Sequence, residues 1–349
     1  MTRACPPFEI EVIAPNLKRR LSGVTSTVLR LVPLQARRIG IVATGPGLPP
    51  EVPHLALWRL PFLPRRLRVW HARRNVEMVL GLILRGLGLM RLRLLFTSAA
   101  QRDHSRFTKA LIARMDRLVA TSPQAASYLK RPATVIMHGI DTGLFRPVEN
   151  RAALRAELGL PETGLVLGCF GRIRHQKGQD LLVAAALELL PARPDVQIVF
   201  TGRATAEHAA WQAGLEAQLA AAGLAERVRF LGERPWGEII RLYQAIDLFV
   251  APARWEGFGL TPIEAMACGT PALACRGVGA FDAQIVEGVT GALCAPDDAA
   301  ALSSALAGLI DAPERLAEMR PAARAHVMAG FTLEREAEAL IAIYREMLA

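Results

Sequence analysis

The stretch Leu248-Phe-Val-Ala-Pro-Ala-Arg-Trp-Glu256-Gly-Phe-Gly-Leu-Thr-Pro-Ile-Glu264-Ala-Met-Ala-Cys268-Gly-Thr-Pro271-Ala-Leu-Ala274 decides the fold. Its apolar beginning, residues 248–251, is a strand; residues 262–268 read as a helix, and residues 271–274 as a second strand. A loop holding Gly257 and Gly259 joins the first strand to the helix. Strand, loop, helix, strand is a βαβ unit, whose strands run parallel. The helix start is signalled by Thr261 as N-cap, Pro262 in the first helical position and Glu264 three residues after the cap.

The alternation continues upstream. Residues 165–170 are an apolar strand, 178–190 a helix, 196–201 a strand, 206–222 a helix, 228–231 a short strand and 236–245 a helix. A separate series opens the chain: Phe8-Glu-Ile-Glu-Val-Ile-Ala14 as a strand, a basic loop over 15–23, a helix over 24–38, a strand over 39–44 and later strands at 91–97 and 117–121. Strands alternating with helices imply parallel sheets covered on both faces. Two such series imply two doubly wound α/β domains, and 349 residues exceed the size at which one core stops growing. The expected division is 1–150, 151–330 and a last helix in 331–349, with a linker around 145–162. In that helix Leu340, Ile343, Tyr344 and Met347 recur at helical spacing.

With 52% hydrophobic and 21% charged residues the chain is an ordinary globular protein. Residues 1–150 hold 24 Lys and Arg against 8 Asp and Glu, a balance of +16, whereas residues 151–349 hold 18 and 24, a balance of −6. The first half is therefore suited to an anionic surface or substrate. Cys5, Cys169, Cys268, Cys275 and Cys294 are odd in number, contain no C-x-x-C pair and sit partly in apolar runs, which favours reduced thiols in a cytosol. Met1 to Pro7 has no signal-peptide pattern. Residues 80–96 are rich in leucine but interrupted by Arg85, Arg91 and Arg93, too often for a spanning helix. They read either as a core helix with a basic edge or as a helix lying on an anionic bilayer. Arg59, Arg65, Arg66 and Arg68 among Trp58, Phe62, Leu63 and Trp70 tilt the choice toward the bilayer.

The chemistry concentrates at strand ends of the second series. Gly257 and Gly259 let backbone approach a ligand closely, and amides at a helix start cradle phosphate. Gly171-Arg172-Ile-Arg-His-Gln-Lys177-Gly178 follows the strand 165–170. Arg172 supplies a forked donor and Lys177 a mobile point charge, both at a strand's carboxyl end, where open α/β sheets bind ligands. Glu264 has two readings, a helix-capping carboxylate or a ligand to sugar hydroxyls. No Asp-x-Asp occurs in the chain.

These pieces, with Val228-Arg-Phe-Leu-Gly232, resemble the large retaining glycosyltransferase family 4, over residues 164–347 and in the family's order. The resemblance implies a GT-B fold, two Rossmann-like domains facing across a cleft, with the helix after Phe331-Thr-Leu-Glu334 crossing back to the first. It implies a nucleotide-sugar donor as co-substrate, and with no Asp-x-Asp to bridge a metal to the diphosphate, no metal cofactor is expected. Glu256 would contact donor-sugar hydroxyls, the amides of Phe258, Gly259 and Leu260 would meet sugar and diphosphate, and Glu264 would bind ribose. Arg172 and Lys177 would neutralise the departing diphosphate, with the base near Arg229 and Phe230.

In the first domain, Ala14-Pro-Asn-Leu-Lys-Arg-Arg-Leu-Ser-Gly-Val-Thr-Ser-Thr27, Val69-Trp-His-Ala-Arg-Arg-Asn75 and Phe96-Thr-Ser-Ala-Ala-Gln-Arg-Asp-His-Ser-Arg106 resemble the lipopolysaccharide-core mannosyltransferases of that family. Their donor is GDP-mannose and their acceptor the Kdo-bearing inner core of a lipid A precursor, a lipid-linked saccharide. The resemblance places such an enzyme in the cytoplasm, peripheral on the inner membrane. Gly23 would face the diphosphate, although the family's double glycine is reduced here to Ser22-Gly23. Lys18, Arg19 and Arg20 would suit an acidic acceptor or form a solvated loop. Many relatives carry a histidine directly after the strand ending at Thr97, where this chain has Ser98, Ala99 and Ala100. His104 and His71 are the candidates to replace it, His104 in catalysis and His71 at the acceptor; His138 is structural. Two other readings are a nucleotide-sugar epimerase and a silent nucleotide-binding module. Nucleic acid is not expected as a partner, since the basic residues lie among leucines without a recognisable motif, and no G-x-G-x-x-G marks a dehydrogenase.

Overall fold

The computed structural model describes residues 9–18 and 23–349; Cys5, Arg19, Arg20 and Ser22 lie outside them. The chain divides into two compact units, Met1–Gly139 with Leu333–Ala349, and Ile140–Thr332. The first runs β1 (Val12–Pro15), α1 (Gly23–Gln35), β2 (Ile41–Thr44), β3 (Leu67–Ala72), α2 (Asn75–Gly86), β4 (Arg91–Ser98), α3 (Arg106–Ile112), β5 (Arg117–Ala120), α4 (Pro123–Ser127) and β6 (Thr134–Val135). Its strands form one parallel sheet in the order β2-β1-β3-β4-β5-β6.

The second unit runs α5 (Arg151–Glu157), β7 (Leu165–Phe170), α6 (Gln179–Leu189), β8 (Val196–Thr201), α7 (Ala206–Ala221), β9 (Val228–Phe230), α8 (Trp236–Ala245), β10 (Leu248–Ala251), α9 (Thr261–Ala267), β11 (Ala272–Cys275), α10 (Phe281–Gln284), β12 (Gly291–Cys294), α11 (Ala299–Ile310) and α12 (Pro313–Gly330). Its parallel order is β12-β11-β10-β7-β8-β9. The last helix, α13 (Leu333–Leu348), belongs to the first unit. Each strand order reverses once, between β1 and β3 and between β7 and β10. Loops leaving two such neighbours turn to opposite faces of the sheet and open a crevice at its carboxyl edge.

Period-two alternation builds the layers of the first unit. Val12, Ala14, Val69 and Leu95 face α1 and Leu340, Ile341 and Tyr344 of α13. Ile13, Trp70, Leu94 and Phe96 face the other way, toward Met78 and Leu84 of α2 and Leu111 of α3. Polar contacts fix α13 there as well. Glu336 on this helix pairs with His138 Nδ1 at 2.7 Å and accepts from the Gly139 amide at 2.8 Å.

The first unit closes at Gly139 rather than at residue 150. Ile140 donates its amide to the Phe331 carbonyl at 2.9 Å and bridges Thr332, and Phe145 packs edge-on against Trp236 at 5.5 Å, so residues 140–150 join the second core. The expected linker holds α5, which is tied to its sheet. The Asp247 carboxylate accepts from Arg151 at 2.6 Å, from Arg155 and from the Val166 amide of β7 at 2.8 Å.

The leucine-rich stretch 80–96 is not one helix. It holds the end of α2, a turn at Gly88 (φ +67°) and strand β4, whose Leu92, Leu94, Leu95 and Phe96 are core. Among the described residues no helix is long and apolar enough to cross a membrane. Strand β12 and helices α11 and α12 are additions to the sequence reading.

Removing the Asp247 carboxylate leaves two guanidinium groups facing each other, Arg155 buried. Asp247→Ala is therefore expected to destabilise the second unit by about 3 kcal/mol, because stranding one side of a buried pair is costly. Urea unfolding followed by circular dichroism should show the lowered midpoint; an unchanged midpoint would contradict the assignment.

Candidate active site

The crevice of the second sheet is built by the loops after β7 and β10. Lys177, at the end of the first loop, forms an ion pair with Glu256 on the second, both side chains mostly buried. The two loops touch because Gly178 adopts φ +71° and its Cα lies against Pro252: a Cβ there would stand 1.9 Å from the Pro252 carbonyl oxygen. Only glycine allows that approach.

Arg254 clamps the loops further. Its guanidinium is bidentate to Asp180 at 2.8 Å for both bonds, donates to the His175 carbonyl at 2.7 Å and reaches Asp297 at 2.5 Å, while its amide donates to the Gln176 carbonyl at 2.9 Å. Arg172 is exposed beside this clamp, its carbonyl accepting from Gln179 Nε2 at 3.1 Å.

The loop after β10 turns into α9 through Gly259. This residue has φ +81°, and a Cβ on it would meet the Phe281 ring at 2.3 Å. The Phe258 carbonyl accepts from the Ala280 amide at 2.8 Å and the Gly259 carbonyl from Gln284 Nε2 at 2.9 Å. Among the described residues no backbone carbonyl accepts from the amides of Gly259, Leu260 or Thr261. Those donors stand at the positive end of α9, the electrostatics that a phosphate needs.

The expected capping box does not form. Leu260, already helical, is the N-cap residue, no side chain caps the helix, and Glu264 lies one position beyond the place a capping box requires. The Glu264 carboxylate, 4% exposed, instead accepts from the Tyr243 hydroxyl at 3.1 Å. Burial first, then the charge of Glu264, pushes the Tyr243 phenol well above its usual range, so it remains a donor. Arg229 lies on β9, two strands from β7, and donates to the Gly159 carbonyl at 3.0 Å. Phe230 stacks on Phe200 with ring centroids 4.5 Å apart. The crevice thus unites Lys177, Glu256, Gly259 and Leu260, and the two β9 residues stand to one side.

In the first unit polar side chains span the region between β1 and β3. Arg74 donates to Asn16 Oδ1, Thr25 Oγ1 and Glu77 Oε1, each at 2.9 Å. The fully buried Glu77 also accepts from the Arg73 amide at 2.7 Å. Gly23 begins α1 in this region, and Lys18 is exposed after β1.

His71, expected at the acceptor, is placed otherwise. It is 0% exposed, with Nδ1 2.6 Å from the Tyr344 hydroxyl and Nε2 2.7 Å from Thr97 Oγ1. The Arg73 guanidinium, a donor only, stands 3.3 Å from Nδ1, so Nδ1 accepts and Nε2 carries the hydrogen. Both nitrogens are committed, and His71 is a core residue joining β3, β4 and α13. Burial, and then the neighbouring Arg73 charge, holds its pKa well below 6.5. His104 is half-buried at the end of β4, its Nε2 3.5 Å from Ser98 Oγ. Burial, then Lys109 and Arg102, lowers its pKa as well.

Sequence reasoning missed Arg254, Tyr243, Gln284 and the Asn16–Thr25–Arg74–Glu77 network. The cluster Gly277-Val-Gly279-Ala-Phe281 was the available signal for the brace behind Gly259. Gly279 has φ +60°, and a Cβ there would stand 2.6 Å from the Phe258 carbonyl oxygen and 3.1 Å from Glu256 Cβ.

The clamp and the buried histidine are each open to measurement. Arg254→Ala should speed amide exchange in residues 171–178 and 254–260 by about tenfold, the effect of losing a charge-assisted bidentate bond of about 1.5 kcal/mol; unaltered exchange would contradict the clamp. For the histidine the variable is pH. His71 is neutral when folded, whereas unfolded it titrates near pH 6.5. Above that pH both states are neutral; below it the unfolded chain takes up the proton first, so the stability present above about pH 6.5 is lost as pH falls. Stability in His71→Gln should decline less steeply between about pH 7 and 5. Identical slopes would show that His71 does not contribute.

Comparison with known proteins gives the same picture. Residues 150–326 match the family described as Glycosyl transferases group 1. The chain is 51% identical over 347 residues to the lipopolysaccharide core biosynthesis mannosyltransferase LpcC of Rhizobium leguminosarum bv. viciae, covering 97% of each. It is 48% identical over 350 residues to the lipopolysaccharide core biosynthesis mannosyltransferase LpsB of Rhizobium meliloti (strain 1021), covering 97% of this chain and 98% of that one. HepE of Anabaena, solved in complex with UDP, shares the fold with a TM-score of 0.83 and 19% identity, over 97% of this chain and 100% of that one. Two parallel Rossmann-like sheets, GT-B structural neighbours and relatives matched along almost their whole length place this chain in the group 1 glycosyltransferase family.

Proposed function

We propose that this glycosyltransferase moves mannose from GDP-mannose, with retention of configuration, onto the Kdo-containing inner core of a lipopolysaccharide precursor. The observation that carries the reading is the Lys177–Glu256 pair at the strand-order reversal of the second sheet, taken with two mannosyltransferase relatives matched over 97% of the chain. Glu256 holds hydroxyls of the donor sugar, Glu264 the ribose, and Phe258, Gly259 and Leu260 line the sugar and diphosphate. The base lies toward Arg229 and Phe230, met through backbone, since the Arg229 guanidinium is engaged with Gly159.

As the glycosidic bond to the diphosphate loosens, negative charge grows on the leaving oxygen. Arg172, Lys177 and the amides opening α9 receive it, so that fixed cations and dipoles do the work a metal would otherwise do. Glu256, ion-paired with Lys177, acts as a clamp on the sugar rather than as a glycosidase-type nucleophile. The acidic acceptor is taken up by the basic first unit, with Lys18 and His104 at the carboxyl edge of its sheet. Since that acceptor is lipid-linked, the enzyme works at the cytoplasmic face of the inner membrane.

Transfer onto Kdo-lipid A should be supported by GDP-mannose and not by UDP or ADP sugars, and should survive EDTA. Binding of UDP in place of GDP would overturn the donor assignment. Glu256→Ala and Lys177→Ala are each expected to lower turnover at least tenfold, about 1.4 kcal/mol or more of transition-state stabilisation, with circular dichroism unchanged. Wild-type rates in either variant would contradict the roles of clamp and counter-charge. Incubating donor without acceptor should leave the sugar unchanged, whereas an epimerase would alter it.

A further inference from the structure

Helix α2 is apolar on two sides. Met78, Gly81 and Leu84 are buried in the first unit's core, Gly81 so close that a Cβ on it would stand 2.6 Å from the Trp70 ring. On another side, Val76, Ile83 and the C-cap residue Leu87 form a second stripe at helical spacing, and these are exposed at 47%, 47% and 70%. A helix on the surface of a globular unit normally presents polar residues there.

The stripe continues beyond the helix at both ends. Asn75 Nδ2 donates to Thr108 Oγ1 at 2.8 Å, which sets the start of α3, with Phe107 60% exposed, beside the start of α2. At the other end Arg65 donates to the Gly88 carbonyl at 3.2 Å, bringing in the segment that follows the 3-10 turn Leu57–Phe62. Leu60 anchors this turn in the core, while Trp58 and Phe62 project into solvent, 67% and 81% exposed. The cations are placed to match, with Arg59 5.1 Å over the Trp58 ring and Arg91 exposed at the start of β4, just after Gly88 and Leu89. Nearby carboxylates are paired: Asp116 with Arg85, Glu11 with Arg66 and Asp103 with Lys109.

We propose that this face, Trp58, Phe62, Val76, Ile83, Leu87 and Phe107 with Arg59, Arg65 and Arg91, seats the enzyme on an anionic lipid surface. Apolar side chains enter the acyl boundary while the arginine stems lie along it and their guanidinium groups meet lipid phosphates. Charge complementarity selects the occupant, because the first 150 residues carry a balance of +16. The inference rests on the proposed lipid-linked acceptor, and it supplies the surface that such an acceptor requires.

The test is sedimentation of the full chain with vesicles of phosphatidylcholine alone or with 30% phosphatidylglycerol, which needs neither donor nor acceptor and so succeeds or fails independently of the sugar assignment. The wild type should partition onto the anionic vesicles and at least tenfold less onto the neutral ones. Trp58→Ser with Phe62→Ser, and separately Ile83→Ser with Leu87→Ser, should each reduce anionic binding at least tenfold, while circular dichroism and nucleotide binding stay unchanged. Undiminished vesicle binding by both double variants would overturn the proposal. So would a wild type that ignores lipid while its sedimentation velocity shows a dimer that these variants dissociate, since the face would then join two copies of the chain.

Discussion

Two parallel strands that start consecutive crossovers in opposite directions must leave their carboxyl ends side by side, and the rest of the structure depends on that constraint. In the second sheet those strands are β7 and β10, and each of their loops carries one member of an ion pair. The Lys177–Glu256 pair is what this topology brings together from residues far apart in the chain. Gly178 lets the loops approach, Arg254 fixes them, and the Gln284 amide with the Gly279 backbone braces the turn into α9. Charge is thus preorganised around an opening where donor atoms of α9 remain available.

The first unit has the same topology and a different use of it. Its crevice is spanned by Arg74, bound to Asn16, Thr25 and the buried Glu77. These bonds hold the loop after β1 and the start of α2 against each other. The fold repeats, and the chemistry follows the side chains placed at the reversal point. Charge divides in the same way, with an excess of cations in the first half and of carboxylates in the second.

Much of the fold was legible in the sequence where local signals agree. The strand 165–170 and the glycine loop before Thr261-Pro262 follow from apolar runs and backbone chemistry that need no distant partner. Arg68 and His71 interrupt the apolar pattern of strand β3, and each has partners set by tertiary packing. Arg68 donates to the Ile10 and Pro64 carbonyls at 2.9 and 2.7 Å, and His71 pairs with Tyr344 of the last helix. Glu264 illustrates a different failure. Its spacing from Thr261 imitates a capping box, but the helix begins one residue earlier and Tyr243 takes the carboxylate. Glu256, Lys177 and Gly259 were found because motif and strand-end position coincide. Arg254 and Tyr243 were not, because their partners are set by tertiary packing.

The claim that Glu256 and Glu264 clamp different parts of one donor is tested most directly by calorimetric titration of GDP and of GDP-mannose into the wild type and Glu256→Gln. The variant should retain the wild-type affinity for GDP and lose only the increment contributed by the sugar. Equal weakening of both ligands, or of neither, would contradict the division of the site.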